Sequence, residues 1–531
     1  MKRNLRTLTL ALLASALATA ASAQQLGQVS FKTSCTAAGQ EKFDRGLALV
    51  HSFFYPDSVQ AFTEATAVDP QCAIAYWGIA ISNRPNPLLL PLPAAALKAG
   101  VDAVEKGKAI GAKTERERDW IAAIEVYYKD YDKVDQTTRG LAYEKAIERL
   151  AQKYPDDLEA ALFYALALNE TAPLSDKTYA NQLKAGAILE KALATRPEHP
   201  GALHYLIHTY DFAPLAQRGL GAANKYAAVA PGAPHAQHMP AHTYSMLGLW
   251  AQSVGSNTQS IALGQEVAAR LWPGATYPGE PHYLDFMEYA LLQMGQDQRA
   301  KRVRDDSNAI KKLGLEFLYG YTGLAGVPAR FALERQAWKE AAALEPRGSQ
   351  FPQAEAITYF ARAMGSAHSG DVAAAEREVS KLRELRAALE KASQSYWEQQ
   401  VEIQMLGASA WIAQAKGQKD EALKFARAAA DVEDSSEKDP AMENRLYPMR
   451  ELLGDLLMQQ QQPAQALKEY ETANQSTPNR LRGFYGAAKA AEGTLQPDKA
   501  GIYYAKLVEL TKDADTDRTE IREAKAFLAR K

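Results

Sequence analysis

The sequence predicts an all-α protein built as a stack of antiparallel helix pairs, and three observations carry that prediction. A fixed spacing of small and aromatic residues appears near both ends of the chain. Glycine turns punctuate amphipathic helical segments between them, and the two-residue alternation of strands is almost absent. Of 531 residues, 47% are hydrophobic and 23% charged, an ordinary balance for a globular chain long enough to build an extensive core.

The spacing is clearest at Gly454, Ala466, Tyr470, Ala473 and Pro478, with Leu453 and Leu457 beside the glycine. It recurs at Gly46, Ser58, Phe62, Ala65 and Pro70. Small residues let two helices approach, the aromatic fills the space between them, and proline stops the second helix. Partial copies lie between: Tyr143, Ile147, Leu150 and Pro155, then Ala185, Leu189, Ala192 and Pro197. Gly248, Gly295, Gly370 and Gly417 each precede a small residue five positions on (Ser253, Ala300, Ala375 and Ala422), as turns between paired helices do.

These positions resemble the tetratricopeptide repeat (TPR), a helix–turn–helix unit of about 34 residues. The resemblance implies a TPR-like α-solenoid, a right-handed superhelix of about ten to eleven helix pairs with a concave face. One solenoid is expected over 24–531, with central repeats rich in histidine at 198–295. Irregular stretches at Ser82–Ala94, Asp211–Gly221 and Trp272–Pro281 read as loops crossing the stack.

The chain begins with Lys2, Arg3 and Arg6, then an apolar run, then Ala21-Ser22-Ala23, which reads as a signal peptide at 1–23 with cleavage after Ala23. The apolar run is too short to span a bilayer, and no later stretch is apolar enough, so no membrane insertion is expected. Loss of that basic segment makes an already slightly acidic chain (formal charge −2) more acidic, which disfavours nucleic acid as a partner. The two cysteines of an exported chain, Cys35 and Cys72, are expected to form a disulfide.

Seven of the nine histidines fall between His199 and His282: these two and His204, His208, His235, His238 and His242. Residues three and four apart share a helix face, which aligns His204 with His208 and His238 with His242. Pro240 is expected to open a helix near His238 and to leave His235 just outside it. His235, His238 and His242 precede Gly248 by the same intervals at which His282, Asp285 and Tyr289 precede Gly295. Equivalent positions of neighbouring repeats stack, so these residues are expected to line one groove with His204 and His208.

Neutral imidazole is the commonest ligand for zinc and copper. A zinc site with an open position takes three protein ligands, and His204, His208, His238, His242 and Asp285 are the candidates, with Glu288 as a second orienting carboxylate. Met239, Met246 and Met287 would suit cuprous ion, though methionine at helical spacing is ordinarily core. His51 and His368 read as a satisfied core histidine and an exposed turn residue. The sequence contains no glycine-rich phosphate loop, GxSxG, HExxH or CxxC, so any catalysis would rest on the histidines.

The segment His235-x-x-His238-Met239-Pro240-x-His242, the opening around Phe43 and Gly46, and Asp69-Pro70-x-Cys72 before Tyr76-Trp77-Gly78 resemble exported bacterial TPR proteins. That likeness implies fold and a periplasmic location. The resulting expectation is a scaffold whose groove, centred on the histidines, binds a protein segment or small ligand. The alternative is a metal-binding protein or metal-dependent hydrolase using the same side chains.

Overall fold

A computed structural model describes residues 25–88, 92–440, 442–443 and 445–530, and the expected signal peptide lies outside them. Among the described residues every regular element is a helix, with one isolated bridge between Thr276 and Leu313. The architecture is all-α and TPR-like, as the repeat spacing predicts. Contacts divide the chain into two compact units: Met1–Asp211 with Gln217–Thr243, and Phe212–Ala216 with Tyr244–Lys531.

The first unit runs through α1 (Ala37–His51), α2 (Tyr55–Val68), α3 (Ile74–Ser82), α4 (Ala94–Ile110), α5 (Glu115–Tyr128), α6 (Gln136–Lys153), α7 (Leu158–Glu170), α8 (Ala180–Thr195) and α9 (Pro200–Thr209). It continues with α10 (Ala216–Val229), α11 (Pro234–His238) and the start of α12 (Pro240–Met246). Sequential helices pack on one another, α1 on α2, α2 on α3, α6 on α7. The predicted contact is present: Phe62 is fully buried, and its ring lies where a Cβ at Gly46 or Gly78 would need to be. One aromatic from a second helix thus seals its own first helix and that of the next pair, which is how each pair buries the stripe it cannot bury alone.

Cys35 and Cys72 are bonded, with Cα atoms 4.8 Å apart, and join the segment before α1 to the segment before α3. Asp69 supports the same junction by accepting from the Thr36 amide at 2.6 Å. Two local expectations are corrected. Asp211–Gly221 is not all loop, because α10 begins at Ala216. His235 lies within a helix, since Pro234 opens α11 in its first turn and the break falls at Met239.

The second unit contains α13 (Trp250–Leu271), α14 (Glu280–Gln293), α15 (Asp297–Ala309), α16 (Leu318–Glu334), α17 (Trp338–Ala342), α18 (Pro352–His368), α19 (Val372–Lys391), α20 (Ser395–Ala415) and α21 (Lys419–Asp434). The last are α22 (Met449–Gln459), α23 (Pro463–Ser476), α24 (Leu481–Gly493), α25 (Pro497–Leu510) and α26 (Thr519–Leu528). Gly248, Gly295, Gly370 and Gly417 all take positive φ, between 67° and 84°, as turn glycines after a helix should. Tyr470 repeats the role of Phe62, packing where Gly454 and Gly486 lack a Cβ.

The end of this unit returns to its beginning. The Trp250 indole donates to the Asn479 carbonyl at 2.9 Å, Arg480 reaches the Tyr289 hydroxyl at 2.5 Å, and Arg518 pairs with Asp297.

Candidate functional site

The site is assembled in the first unit from α1, α7, α9 and the α11–α12 segment. Its inner layer is Glu159 on α7. Its two oxygens face His51 Nε2 at 2.8 Å and His199 Nε2 at 3.1 Å, and the Tyr205 hydroxyl meets the other ring nitrogen of His51 at 2.9 Å. Burial alone would raise the Glu159 carboxyl, but the two imidazoles outweigh it and hold it well below the usual carboxylate range. This layer fixes the end of α1 against the start of α9, where His199 also caps the helix by accepting from the Ala202 amide.

His51 then positions the next ring through its backbone. His204 Nδ1 lies 2.6 Å from the His51 carbonyl oxygen. A carbonyl only accepts, so Nδ1 carries the proton and Nε2 of the neutral ring presents a bare lone pair. Burial pushes the pKa of His204 down to about 3, which keeps it neutral. That lone pair faces His235 Nε2 at 3.1 Å. His208, one turn on from His204, completes a group in which one ligand atom from each of the three rings lies within 4.8 Å of the others. The Phe53 ring contacts all three imidazoles, and Tyr226 stacks on His204.

A second pair has the same construction. His242 Nδ1 donates to Asp211 at 2.8 Å, leaving Nε2 to face His238 Nε2 at 3.0 Å. Ring centroids run from His208 to His242 at 5.8 Å and from His235 to His238 at 6.1 Å, so the five rings form one continuous cluster. His204 and His238 are fully buried, His208 and His242 almost so, and only His235 is partly exposed.

The remaining candidates lie in the second unit. Asp285 is held by Arg330, Nε to Oδ1 at 2.8 Å and Nη2 to Oδ2 at 3.4 Å, with both side chains buried. A carboxylate so committed is a poor metal ligand. His282 packs edge-on to Phe286, and the Tyr289 ring packs edge-on to Trp250. Glu288 is buried, neither of its oxygens meets a hydrogen-bond partner among the described residues, and burial, then the Asp285 charge, raises its carboxyl well above the ordinary range. It therefore holds its proton and does not serve as a carboxylate that orients a ring by accepting its N–H.

Sequence reasoning passed over Glu159, Tyr205, Asp211, the Phe53 ring, Tyr226 and the backbone carbonyl of His51. Asp211 had a signal, since it follows His208 by three residues at a helix end. A backbone carbonyl that aims a ring from 153 residues away leaves no trace in composition or spacing.

No protein-family model matches the chain, and no curated protein matches it. Among solved structures it is similar to a tetratricopeptide repeat protein from Parabacteroides merdae (12% identity over 56% of this chain and 98% of that one, TM-score 0.29). It is also similar to the human IFIT1 dimer with m7Gppp-AAAA (10% identity, 82% of this chain and 90% of that one, TM-score 0.38). A third is yeast Tom70 (13% identity, 93% of this chain and 96% of that one, TM-score 0.29).

Proposed function

We propose that the chain is a periplasmic TPR-like protein that binds a transition metal, zinc or copper, through His204, His208 and His235, with His238 and His242 as an adjoining donor pair. The supporting observation is the opposed pair of Nε2 atoms on His204 and His235, one of them a lone pair fixed by the His51 carbonyl. Zinc–nitrogen bonds of about 2.0–2.1 Å in a tetrahedral site set imidazole nitrogens roughly 3.3 Å apart, close to this spacing. A hydrogen bond to the non-ligating nitrogen is the usual outer-shell support for a metal-bound histidine. Three imidazoles leave a fourth position for water or a small ligand.

Burial favours an ion over a protein segment at this place. Four of the five rings offer almost no surface to a macromolecule, while an ion needs only their nitrogens. A protein partner is the second reading, supported by the extended faces that stacked helix pairs present to peptides. The basic, apolar and small-residue order of 1–23 supports export.

Titration of chelator-treated protein with zinc and with cuprous ion tests the reading. Saturable binding that His204→Ala and His235→Ala each abolish supports it. Equal binding by wild type and the double variant would mean that other groups hold the metal.

A further inference from the structure

The second unit carries a cavity of about 350 Å³ far from the histidine cluster in sequence, with Trp338, His368, Trp411, Arg482, Tyr485 and Lys489 in its wall. That volume is within the range of small-molecule sites. Three of the lining residues each carry a buried nitrogen that meets no hydrogen-bond partner among the described residues: Arg482 Nε, His368 Nε2 and Trp411 Nε1. Two of them are obligate donors, and the third is a donor in one tautomer of neutral imidazole. Buried donors in native proteins ordinarily have acceptors, so three around one cavity call for a ligand that supplies them.

The groups are held rather than free to turn elsewhere. Arg482 is 7% exposed, and its Nη2 donates to Asp455 Oδ2 at 2.7 Å. With its amide oxygen turned inward, Gln336 accepts from both terminal nitrogens of Arg482, at 2.7 and 2.6 Å. Asp455 is occupied in turn by the Tyr447 and Tyr470 hydroxyls at 2.5 and 2.6 Å. His368 is sandwiched between two indoles, parallel to Trp338 at 3.7 Å and 3.9 Å from Trp411. Lys489 stands among the lining residues with Glu523 at 3.1 Å and Glu492 at 3.4 Å.

From this geometry we infer that the cavity binds the carboxylate of a small aromatic acid, its oxygens accepting from Arg482 Nε, His368 Nε2 and Trp411 Nε1 and its ring lying against the indoles. A carboxylate has lone pairs and no proton, which matches these three donors, and its bond to guanidinium is charge-assisted; Asp455, which also lines the cavity, is taken up by Arg482 and the two tyrosine hydroxyls. A phosphate dianion fits less well, because Arg482 is already shared with Asp455 and the other two donors are neutral. Burial holds His368 down to about 4, so at neutral pH it meets the ligand uncharged.

Calorimetric titration of the full chain with benzoate, phenylacetate, indole-3-acetate, their amides, and inorganic phosphate tests this. At least one carboxylate should bind with a Kd of about 1 mM or tighter, and its amide at least about tenfold more weakly. Trp411→Phe keeps the ring and removes the N–H, and should weaken that carboxylate by roughly fivefold or more, a loss typical of one hydrogen bond. Arg482→Lys should weaken it further. The inference is overturned if no carboxylate binds, if amides bind equally, if phosphate alone binds, or if Trp411→Phe and Arg482→Lys both leave the affinity unchanged.

Discussion

The Nε2 atoms of His204 and His235 face each other at 3.1 Å, while the other ring nitrogen of His204 donates to the His51 carbonyl at 2.6 Å. The backbone bond decides which nitrogen is bare. A cation between the rings would then replace a single hydrogen bond with two coordinate bonds.

Metal should therefore stabilise the folded chain. At free metal one hundred times Kd the gain is about 2.7 kcal/mol, if the unfolded chain does not bind it. Thermal unfolding with and without zinc or cuprous ion measures this gain. We expect the shift in wild type and in His368→Gln, and its loss in His204→Ala. A shift of equal size in His204→Ala would contradict the assignment.

The Cys35–Cys72 bond closes a sequence separation of 37 residues. Removing it as Cys35→Ser/Cys72→Ser should cost about 4 kcal/mol on the chain-entropy account. Urea unfolding followed by far-ultraviolet circular dichroism should show the loss as a lower midpoint. Superimposable curves for the two proteins would show that the bond constrains little.

His368 gives a pH prediction. Its folded pKa is lowered to about 4 by burial, against 6.5 for a free imidazole. As pH falls below 6.5 the unfolded chain takes up the proton first, so this group's contribution to stability declines until about pH 4 and then levels off. Ring proton resonances should titrate with a midpoint near 4. A midpoint near 6.5 would place the ring in water.

Glu288 works in the opposite sense. Its folded carboxyl keeps its proton well above 4.5, so the unfolded chain ionises first and stability declines as pH rises through and beyond 4.5. Glu288→Gln keeps the shape without an ionising group. Denaturant midpoints at pH 5 and pH 8 should therefore differ less in the variant than in wild type. An identical pH dependence would show that Glu288 ionises normally.

What could be read from the sequence was whatever repeats or follows a local rule. Phe62 and Tyr470 sit opposite glycines because a helix pair needs a large residue against a small one at fixed spacing. The turn glycines have positive φ because the chain leaves a helix there. The histidines at 204 and 208, and at 238 and 242, share faces because a turn separates them. Partners from distant segments were hidden. Arg330 claims Asp285 across 45 residues, and the ring of His368, expected at an exposed turn, lies between Trp338 and Trp411. His235 was misjudged locally, since Pro234 and Pro240 each open a short helix and only the second was weighed.

Anomalous diffraction from crystals grown with zinc or cuprous ion tests the central claim most directly. The account predicts a peak bounded by His204 Nε2, His235 Nε2 and a ring nitrogen of His208, with bond lengths of about 2.0–2.1 Å for zinc. A peak bound elsewhere, or none within this cluster at saturating metal, would contradict it.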